Sequence, residues 1–220
     1  MPAQDFKRVG DNDGGPNTGG MGAYSPLPWA PVGLVDEVVA KVLQPTVDEM
    51  AKRGTPFSGL LYAGLALTSR GTRVIEFNAR FGDPETQVVL SRLDSPLSEL
   101  LLASANGTLS SLAPIKWKNN SAVTVVMAAA GYPESPKFGA TITGLNSVPN
   151  DVQVFHAGTR NEGNNIVVNG GRVLSVTALG VDLHQARNHA YEGVSKIHFD
   201  GEHHRSDIAL KAADGEITVP

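Results

Sequence analysis

The residues with the clearest chemical potential lie in the segment 74–87. Glu76, Asn78 and Arg80 occupy every second position in a stretch that begins as a β-strand. Alternate residues of a strand point to one face, so a carboxylate, an amide and a guanidinium would lie together. Mg²⁺ at nucleotide sites is held by one or two protein oxygens together with phosphate oxygens. The spacing therefore indicates a magnesium and phosphate site; an edge strand with a solvated polar face is the alternative.

A helix is predicted to begin directly after this strand. Asp83 would be its N-cap, Pro84 would take the first helical position and Glu85 would lie in the first turn. Amide donors at the start of a helix suit an anion. The helix would therefore add anion-binding groups next to the polar strand.

A glycine-rich segment at residues 11–26 is the second unusual feature. Its glycines allow the backbone to approach a ligand closely and to adopt positive φ. It is not a Walker A loop, because no Lys followed by Ser or Thr comes after the glycines. A flexible connection is the alternative interpretation.

Several motifs, taken in order, resemble the phosphoribosylamine–glycine ligase family, also called glycinamide ribonucleotide synthetases, in the ATP-grasp superfamily. The matching segments are residues 7–11, 15–26, 59–65, 76–87, 155–159, 169–174 and 205–208. The resemblance extends through essentially the whole chain. Members of the family are roughly twice as long, and this chain resembles their carboxy-terminal half.

The resemblance implies an α+β fold, a partial ATP-grasp core followed by a small strand-rich α+β domain. The core would occupy residues 1–107, a linker residues 108–120 and the second domain residues 121–220. The amino-terminal domain, the nucleotide-covering domain and the first part of the core would lie in the missing amino-terminal half. That half is therefore the expected protein partner.

The implied reaction is the ATP-dependent ligation of glycine to 5-phosphoribosylamine, which gives glycinamide ribonucleotide, ADP and phosphate in de novo purine biosynthesis. By resemblance, Glu76 and Asn78 hold Mg²⁺ or Mn²⁺, and Arg80 binds ATP and stabilises the transferring phosphoryl group. The strand before Glu76 offers no further acid in residues 60–65, so one metal position is expected.

The substrates are expected at three places. Asp83, a catalytic candidate, would hold the ammonium of glycine, and Glu85 would also contact substrate. Thr18, Gly19 and Gly20 would shape the loop that binds substrate and phosphate.

The composition excludes several classes of function. A net charge of -4 argues against a nucleic-acid-binding surface, which would be basic. There is no apolar run long enough to span a bilayer, and the first residues lack the apolar core of a signal peptide. Without cysteine, neither a disulfide framework nor a thiolate metal site exists. A cytoplasmic enzyme is expected, with small-molecule substrates and no nucleic acid or membrane partner.

Hydrophobic periodicity predicts the elements around these motifs. Helices are expected at residues 31–53 with a kink at Pro45, from residue 84 to 105 with a break at Ser95 and Pro96, and after the N-cap Asp182. Strands are expected at 58–67, 72–77, 122–130, 152–156, 165–168 and 172–179. The residues 169–171 are read as a hairpin turn.

The remaining aromatic and histidine residues are assigned structural roles. Trp29 and Trp117 are expected to anchor packing, and His198, His203 and His204 are read as loop residues because their spacing matches no common zinc pattern.

Three functions stay open at this point. The first is the ligase. The second is another ATP-grasp carboxylate–amine ligase, such as a biotin-carboxylase-like protein, against which the loop 15–22 argues. The third is a non-catalytic remnant that only folds or binds a partner.

Overall fold

The computed structural model describes residues 1–219 and contains helices and strands in similar amounts. The strands are β1 (Gln4–Asp5), β2 (Arg8–Gly10), β3 (Gly14–Asn17), β4 (Gly22–Ser25), β5 (Tyr62–Thr68), β6 (Gly71–Asn78), β7 (Ser121–Ala128), β8 (Thr141–Ile142), β9 (Val152–His156), β10 (Thr159–Glu162), β11 (Asn165–Val168) and β12 (Arg172–Gly180). The helices are α1 (Leu34–Val38), α2 (Gln44–Lys52), α3 (Glu85–Ser91), α4 (Leu97–Ala105), α5 (Leu183–Val194) and α6 (Leu210–Ala213). Among residues 1–219, no helix has both the length and the apolar character needed to cross a membrane.

The largest layer is an antiparallel sheet with the strand order β1-β4-β7-β12-β9. Every residue of β7 is buried, which explains its nearly continuous apolar sequence. The two buried hydroxyls of Thr124 and Thr177 lie opposite each other and form a hydrogen bond of 2.7 Å. Each hydroxyl therefore satisfies the other inside the sheet.

Helix α5 covers one face of this sheet, as its sequence predicts. The Asp182 side chain caps the helix by accepting a hydrogen bond of 2.8 Å from the Gln185 amide. Its buried residues join the main core, and burying each larger one stabilises the fold by about 1.5–3 kcal/mol.

Helix α3 packs against the opposite face of the sheet. Its buried Val88 lies against Ala23 of β4 and Ala122 of β7. Because α3 follows the β5–β6 hairpin along the chain, this packing fixes the segment between hairpin and helix against the sheet.

The β5–β6 hairpin forms a separate two-stranded sheet. The predicted strands and their short turn are confirmed, although β5 begins later, at Tyr62. Strand β6 has one extra residue, Ile75, between the pairs Gly64–Glu76 and Leu65–Val74. Such bulges are frequent beside active sites, where they redirect side chains.

The kink predicted at Pro45 takes the form of a π-helical turn, Val39–Leu43, directly before α2. Pro45 has no amide hydrogen to continue the regular helical ladder, so the helix adjusts its hydrogen bonding there. Gly54, with φ of 78°, ends the helix as predicted.

The main sheet contains strands from both sides of the predicted linker at residues 108–120. Strands β1 and β4 precede the linker, whereas β7, β9 and β12 follow it. The linker itself is tied back, since the Lys118 amide donates to the Arg92 carbonyl at 2.8 Å. The division into two domains stays a prediction.

Trp29, His203 and His204 make the packing and hydrogen-bond contacts expected of structural residues. Trp29 packs against the core and donates a hydrogen bond of 2.7 Å to the Tyr24 hydroxyl, so its role as a packing anchor is confirmed. His203 contacts the Val9 carbonyl, and His204 contacts Glu202.

The glycine-rich segment is held by a buried arginine near the end of the chain. The side chain of Arg205 is 1% exposed and pairs with Asp13 at 2.9 Å and Asp207 at 2.7 Å. Its guanidinium also lies 4.9 Å from the ring centroid of Phe6. The Ser206 amide adds a hydrogen bond of 2.8 Å to Asp11.

This arrangement predicts a large loss of stability when the arginine is removed. Arg205→Met should lower the free energy of unfolding by about 3 kcal/mol, because Asp207 would keep its charge without a cationic partner. Urea denaturation measures this change. Arg160→Met is the matched control: Arg160 and Glu162 lie 3.6 Å apart, both more than half exposed, and their pair contributes less than about 1 kcal/mol. Equal losses in the two variants would contradict the prediction.

Candidate active site

The structure brings the side chains of Glu76 and Asn78 together at the end of β6. The Asn78 amide nitrogen Nδ2 donates to Glu76 Oε1 at 3.2 Å. Gly64 lies opposite Glu76, and a Cβ at residue 64 would come within 3.0 Å of Glu76 Cγ. The absence of a side chain at Gly64 therefore leaves room for the carboxylate.

Arg80 does not continue the same strand face. Strand β6 ends at Asn78 and the chain bends, so the alternation that would place Arg80 beside Glu76 and Asn78 stops before it. Its exposed guanidinium donates to the Phe81 carbonyl at 2.9 Å. The expectation that all three residues share one strand face is wrong for Arg80.

Asp83 is not the N-cap of the following helix. Helix α3 begins at Glu85, the residue before it is Pro84, and no side chain caps it. The Asp83 carboxylate instead accepts hydrogen bonds from Arg172 Nη2 at 3.2 Å and Gln87 Nε2 at 3.1 Å. The guanidinium is a stronger partner than a neutral helix amide, which explains the difference.

The loop Thr18–Gly20 is closely packed and internally bonded. The Thr18 hydroxyl accepts from the Gly20 amide and donates to the Lys7 carbonyl, both at 2.9 Å. Gly20 has φ of 116°, and a Cβ there would lie 2.5 Å from Pro84 and 2.6 Å from Asp5 Oδ1. Only glycine fits this position, because the loop passes directly over both residues.

Arg172 connects this loop to Asp83. Its Nη1 donates to the Gly19 carbonyl at 2.9 Å and to the Asp83 carbonyl at 2.7 Å. The Gly19 amide donates to the Tyr132 hydroxyl at 2.9 Å, so Gly19 is held from both sides. The loop and the segment after β6, which are remote in sequence, therefore form one site.

Glu85 is buried beside the hairpin. Its Oε1 accepts a hydrogen bond of 2.6 Å from the Tyr62 hydroxyl, and Tyr62 pairs with Asn78 across the hairpin. Burial, and then the hydrogen bond to Glu85, raise the pKa of Tyr62. Glu85 therefore links helix α3 to β5, the strand that pairs with the one carrying Glu76 and Asn78.

A second carboxylate, Asp5, lies under the same loop. Its side chain is 7% exposed and its Oδ2 lies 2.5 Å from Lys7 Nζ. Its Oδ1 has no hydrogen-bond partner among residues 1–219. Burial raises the pKa of the Asp5 carboxyl to about 6; the Lys7 ammonium opposes this rise, and the charge of Glu85 adds to it.

An open groove of about 560 Å³ adjoins Asp83 on the other side. Its lining includes Phe81, Asp83, Gln87, Lys118 and Phe155. This volume lies in the range that small-molecule sites occupy. The groove offers apolar walls, the carboxylate of Asp83 and the ammonium of Lys118.

Sequence reasoning missed several residues of this site. Site roles for Arg172 and Tyr132 were not predicted, because their partners Gly19 and Asp83 lie at least 89 residues away along the chain. Gly171 leaves room for the Tyr132 ring, since a Cβ at Gly171 would lie 2.4 Å from it. The signals for Arg172 were its position directly after two glycines, at the start of a predicted strand and inside the matching segment 169–174.

Comparisons with known proteins define the class first. Residues 1–86 match the family described as "Phosphoribosylglycinamide synthetase, ATP-grasp (A) domain". Residues 122–211 match the C domain of the same synthetase. The strand with Glu76 and Asn78 and the segment 18–20 both fall within the matched ATP-grasp part.

Individual relatives agree with this class. The chain is 65% identical over 217 residues to phosphoribosylamine–glycine ligase of Streptomyces coelicolor, covering 97% of this chain and 52% of that protein. It is 53% identical to the Mycobacterium bovis ligase, covering 100% of this chain and 51% of that protein. The chain belongs to the phosphoribosylglycinamide synthetase family, and it spans about half the length of these relatives.

Solved structures confirm the α+β, ATP-grasp type of fold. Phosphoribosylamine–glycine ligase from Thermotoga maritima superposes with a TM-score of 0.84 at 36% identity, covering 94% of this chain and 51% of that chain. A biotin carboxylase domain of a thermophilic 2-oxoglutarate carboxylase reaches 0.62 at 15% identity, covering 91% of this chain and 46% of that chain. The second likeness concerns the fold alone.

The buried Asp5 predicts an unusual pH dependence of stability. Its carboxyl takes up a proton at about pH 6 in the folded state and near 3.8 when unfolded, so the folded state binds more protons between these values. Stability therefore falls as pH rises through this window. Asp5→Asn removes this effect, and since Lys7 also loses its partner we expect a gain of about 1–2 kcal/mol at pH 8 and none near pH 4.

Urea denaturation across this pH range measures the gain. Asp94→Asn, which alters an exposed carboxylate, is the matched control and should show no gain that depends on pH. A loss of stability in Asp5→Asn that is equal at every pH would contradict the prediction.

Proposed function

We propose that this chain provides one wall of the active site of an ATP-dependent ligase. The enzyme joins glycine to 5-phosphoribosylamine and gives glycinamide ribonucleotide, ADP and phosphate in purine biosynthesis. The observation that carries the proposal is the proximity of two side chains that each have a hard oxygen, Glu76 and Asn78: Asn78 Nδ2 lies 3.2 Å from Glu76 Oε1 beside the bulge of β6. Because the absence of cysteine fits a reducing compartment, we propose a cytoplasmic location.

The residues present fit a divalent cation. Glu76 is exposed, so its carboxylate is open to a ligand, and Asn78 supplies a neutral amide next to it. Carboxylate and amide oxygens together with phosphate oxygens are the ligands that Mg²⁺ prefers, and Mn²⁺ accepts the same set. When bound, the ion neutralises the charge of the polyphosphate while a carboxylate approaches it.

The other residues act on the substrates. Arg80, whose guanidinium is exposed, binds ATP and stabilises the phosphoryl group as it passes to the carboxylate of glycine. The exposed side of the Asp83 carboxylate holds the glycine ammonium, and Arg172 fixes its orientation. The backbone of Thr18, Gly19 and Gly20 lies against this segment and shapes the substrate loop.

Glu85 is proposed to act from inside the fold. Because its side chain is buried and bonded to Tyr62, it positions the strand bearing Asn78 and the segment after Gly82. The amine of 5-phosphoribosylamine then attacks the glycyl phosphate and releases phosphate. No covalent bond to the protein is needed, so positioning and charge stabilisation provide the catalysis.

An amino-terminal half is proposed to complete the site. The β5–β6 hairpin is two-stranded and carries exposed apolar side chains, with Ile75 69% exposed. A hairpin of this kind has little stability of its own in water, and such a patch marks an interaction surface. Relatives are about twice as long as this chain, which supports the missing half as the partner of this surface.

Complementation tests the proposal. The complemented enzyme is defined as this chain joined in one polypeptide to the amino-terminal half of the Streptomyces coelicolor relative. It should form glycinamide ribonucleotide from ATP, glycine and phosphoribosylamine, whereas this chain alone should be at least about a thousand-fold slower, because positioning supplies roughly 7–11 kcal/mol of such a barrier. Turnover by this chain alone at the complemented rate would contradict the proposal that half of the site is missing.

Two variants of the complemented enzyme test the metal assignment. Glu76→Gln should lower kcat by at least about a hundred-fold and abolish Mn²⁺ binding in the presence of ADP, as followed by electron paramagnetic resonance. Glu162→Gln makes the same chemical change on an exposed hairpin and should leave both unchanged. Full activity in Glu76→Gln would contradict the proposed role of this residue. If no form of the enzyme makes product, a non-catalytic protein is favoured.

A further inference from the structure

Lys7 is a fixed cation at the edge of the proposed site. Its ammonium lies 2.5 Å from Oδ2 of the buried Asp5, while the lysine side chain itself is half exposed. Surface lysines ordinarily keep a mobile ammonium, because holding one costs side-chain entropy. Here the buried carboxylate of Asp5 holds the ammonium of Lys7, while the lysine side chain stays half exposed.

The backbone of Lys7 holds the substrate loop. Its carbonyl accepts hydrogen bonds from the Thr18 amide at 2.7 Å and from the Thr18 hydroxyl at 2.9 Å. The same residue therefore fixes the loop Thr18–Gly20 with its main chain and presents a positive charge with its side chain.

Lys7 also interacts with the charges of two carboxylates of the site, Glu76 on β6 and Glu85 on α3. Partial burial would lower the pKa of Lys7, but Asp5 and the nearby charges of Glu85 and Glu76 outweigh it and raise that pKa. Lys7 is thus charged, and it lies beside the substrate loop, because its partner Asp5 packs directly under Gly20. Asp5 Oδ1 has no hydrogen-bond partner among the described residues. Lys7 is the only cation paired with this carboxylate in residues 1–219.

We propose that Lys7 is a further catalytic residue of the ligase site, whose ammonium contacts an anionic oxygen of the reacting group, and that Asp5 is its positioning residue. The anion is a phosphoryl oxygen or the carboxylate of glycine; the charge interaction of Lys7 with Glu76, the proposed metal ligand, favours the phosphoryl oxygen. A prepositioned ammonium stabilises charge as it develops without reorganisation during the reaction. This inference rests on the proposed ligase function.

Calorimetry on the complemented enzyme tests the contact. Three ligands are compared with Mg²⁺ present: ADP, ADP with aluminium fluoride as a mimic of the transferring phosphoryl group, and glycine. Lys7→Met should weaken binding of ADP with aluminium fluoride by at least about ten-fold, leave ADP within about two-fold, and lower kcat by about a hundred-fold with little change in KM for ATP. Lys7→Arg, which keeps the charge, should recover part of the loss.

Two further variants separate catalysis from folding. Lys41→Met removes an exposed lysine paired with Glu37 and should leave binding and kcat unchanged. Asp5→Asn should give a smaller loss than Lys7→Met in the aluminium fluoride arm, because the ammonium stays but is no longer fixed.

The outcomes divide clearly. Selective weakening of the aluminium fluoride complex supports a phosphoryl contact, and selective weakening of glycine supports a carboxylate contact. Equal weakening of all three ligands together with lost stability, or no weakening at all, would overturn the proposal. If the unaltered complemented enzyme forms no glycinamide ribonucleotide, the ligase function fails, while the binding measurements still decide whether Lys7 contacts the anion.

Discussion

The guanidinium of Arg172 is the interaction on which the geometry of the site depends. One side chain bonds to the Gly19 carbonyl at 2.9 Å and to the carbonyl and carboxylate of Asp83 at 2.7 and 3.2 Å. With Arg172 itself these groups join three segments of the chain, and a planar guanidinium with several fixed donors suits such a junction. Lysine has a single ammonium and could not reproduce this set of directions.

A second set of polar contacts lies behind this junction. Asp5 forms an ion pair with Lys7, and Glu85 accepts a hydrogen bond from Tyr62. Tyr62 in turn pairs with Asn78 across the hairpin. Each of these carboxylates is buried, so each is costly without its partner. The site is therefore specified by buried polar pairs, and the apolar cores on the two faces of the main sheet supply the rigid support beneath them.

Local patterns in the sequence predicted the parts of this protein that depend on neighbouring residues. The hairpin around Glu76 and Asn78 follows from alternation, and the Asp182 cap is satisfied three residues later by Gln185. The cap assigned to Asp83 failed because Arg172, 89 residues away, takes that carboxylate. Long-range ion pairs leave no periodic signal in a sequence. The contact between the loop Thr18–Gly20, Asp83 and Arg172 of β12 could therefore be found only in the folded structure.

The central claim is that Arg172 holds the loop Thr18–Gly20 against Asp83, and hydrogen exchange in this chain tests it most directly. In Arg172→Met the amides of residues 18–20 and of Asp83 and Glu85 should exchange at least about ten-fold faster, as expected for the loss of hydrogen bonds to a charged donor, while β7 keeps its protection. Arg160→Met, on an exposed hairpin, should change neither region. Unchanged exchange at residues 18–20 in Arg172→Met would contradict the account.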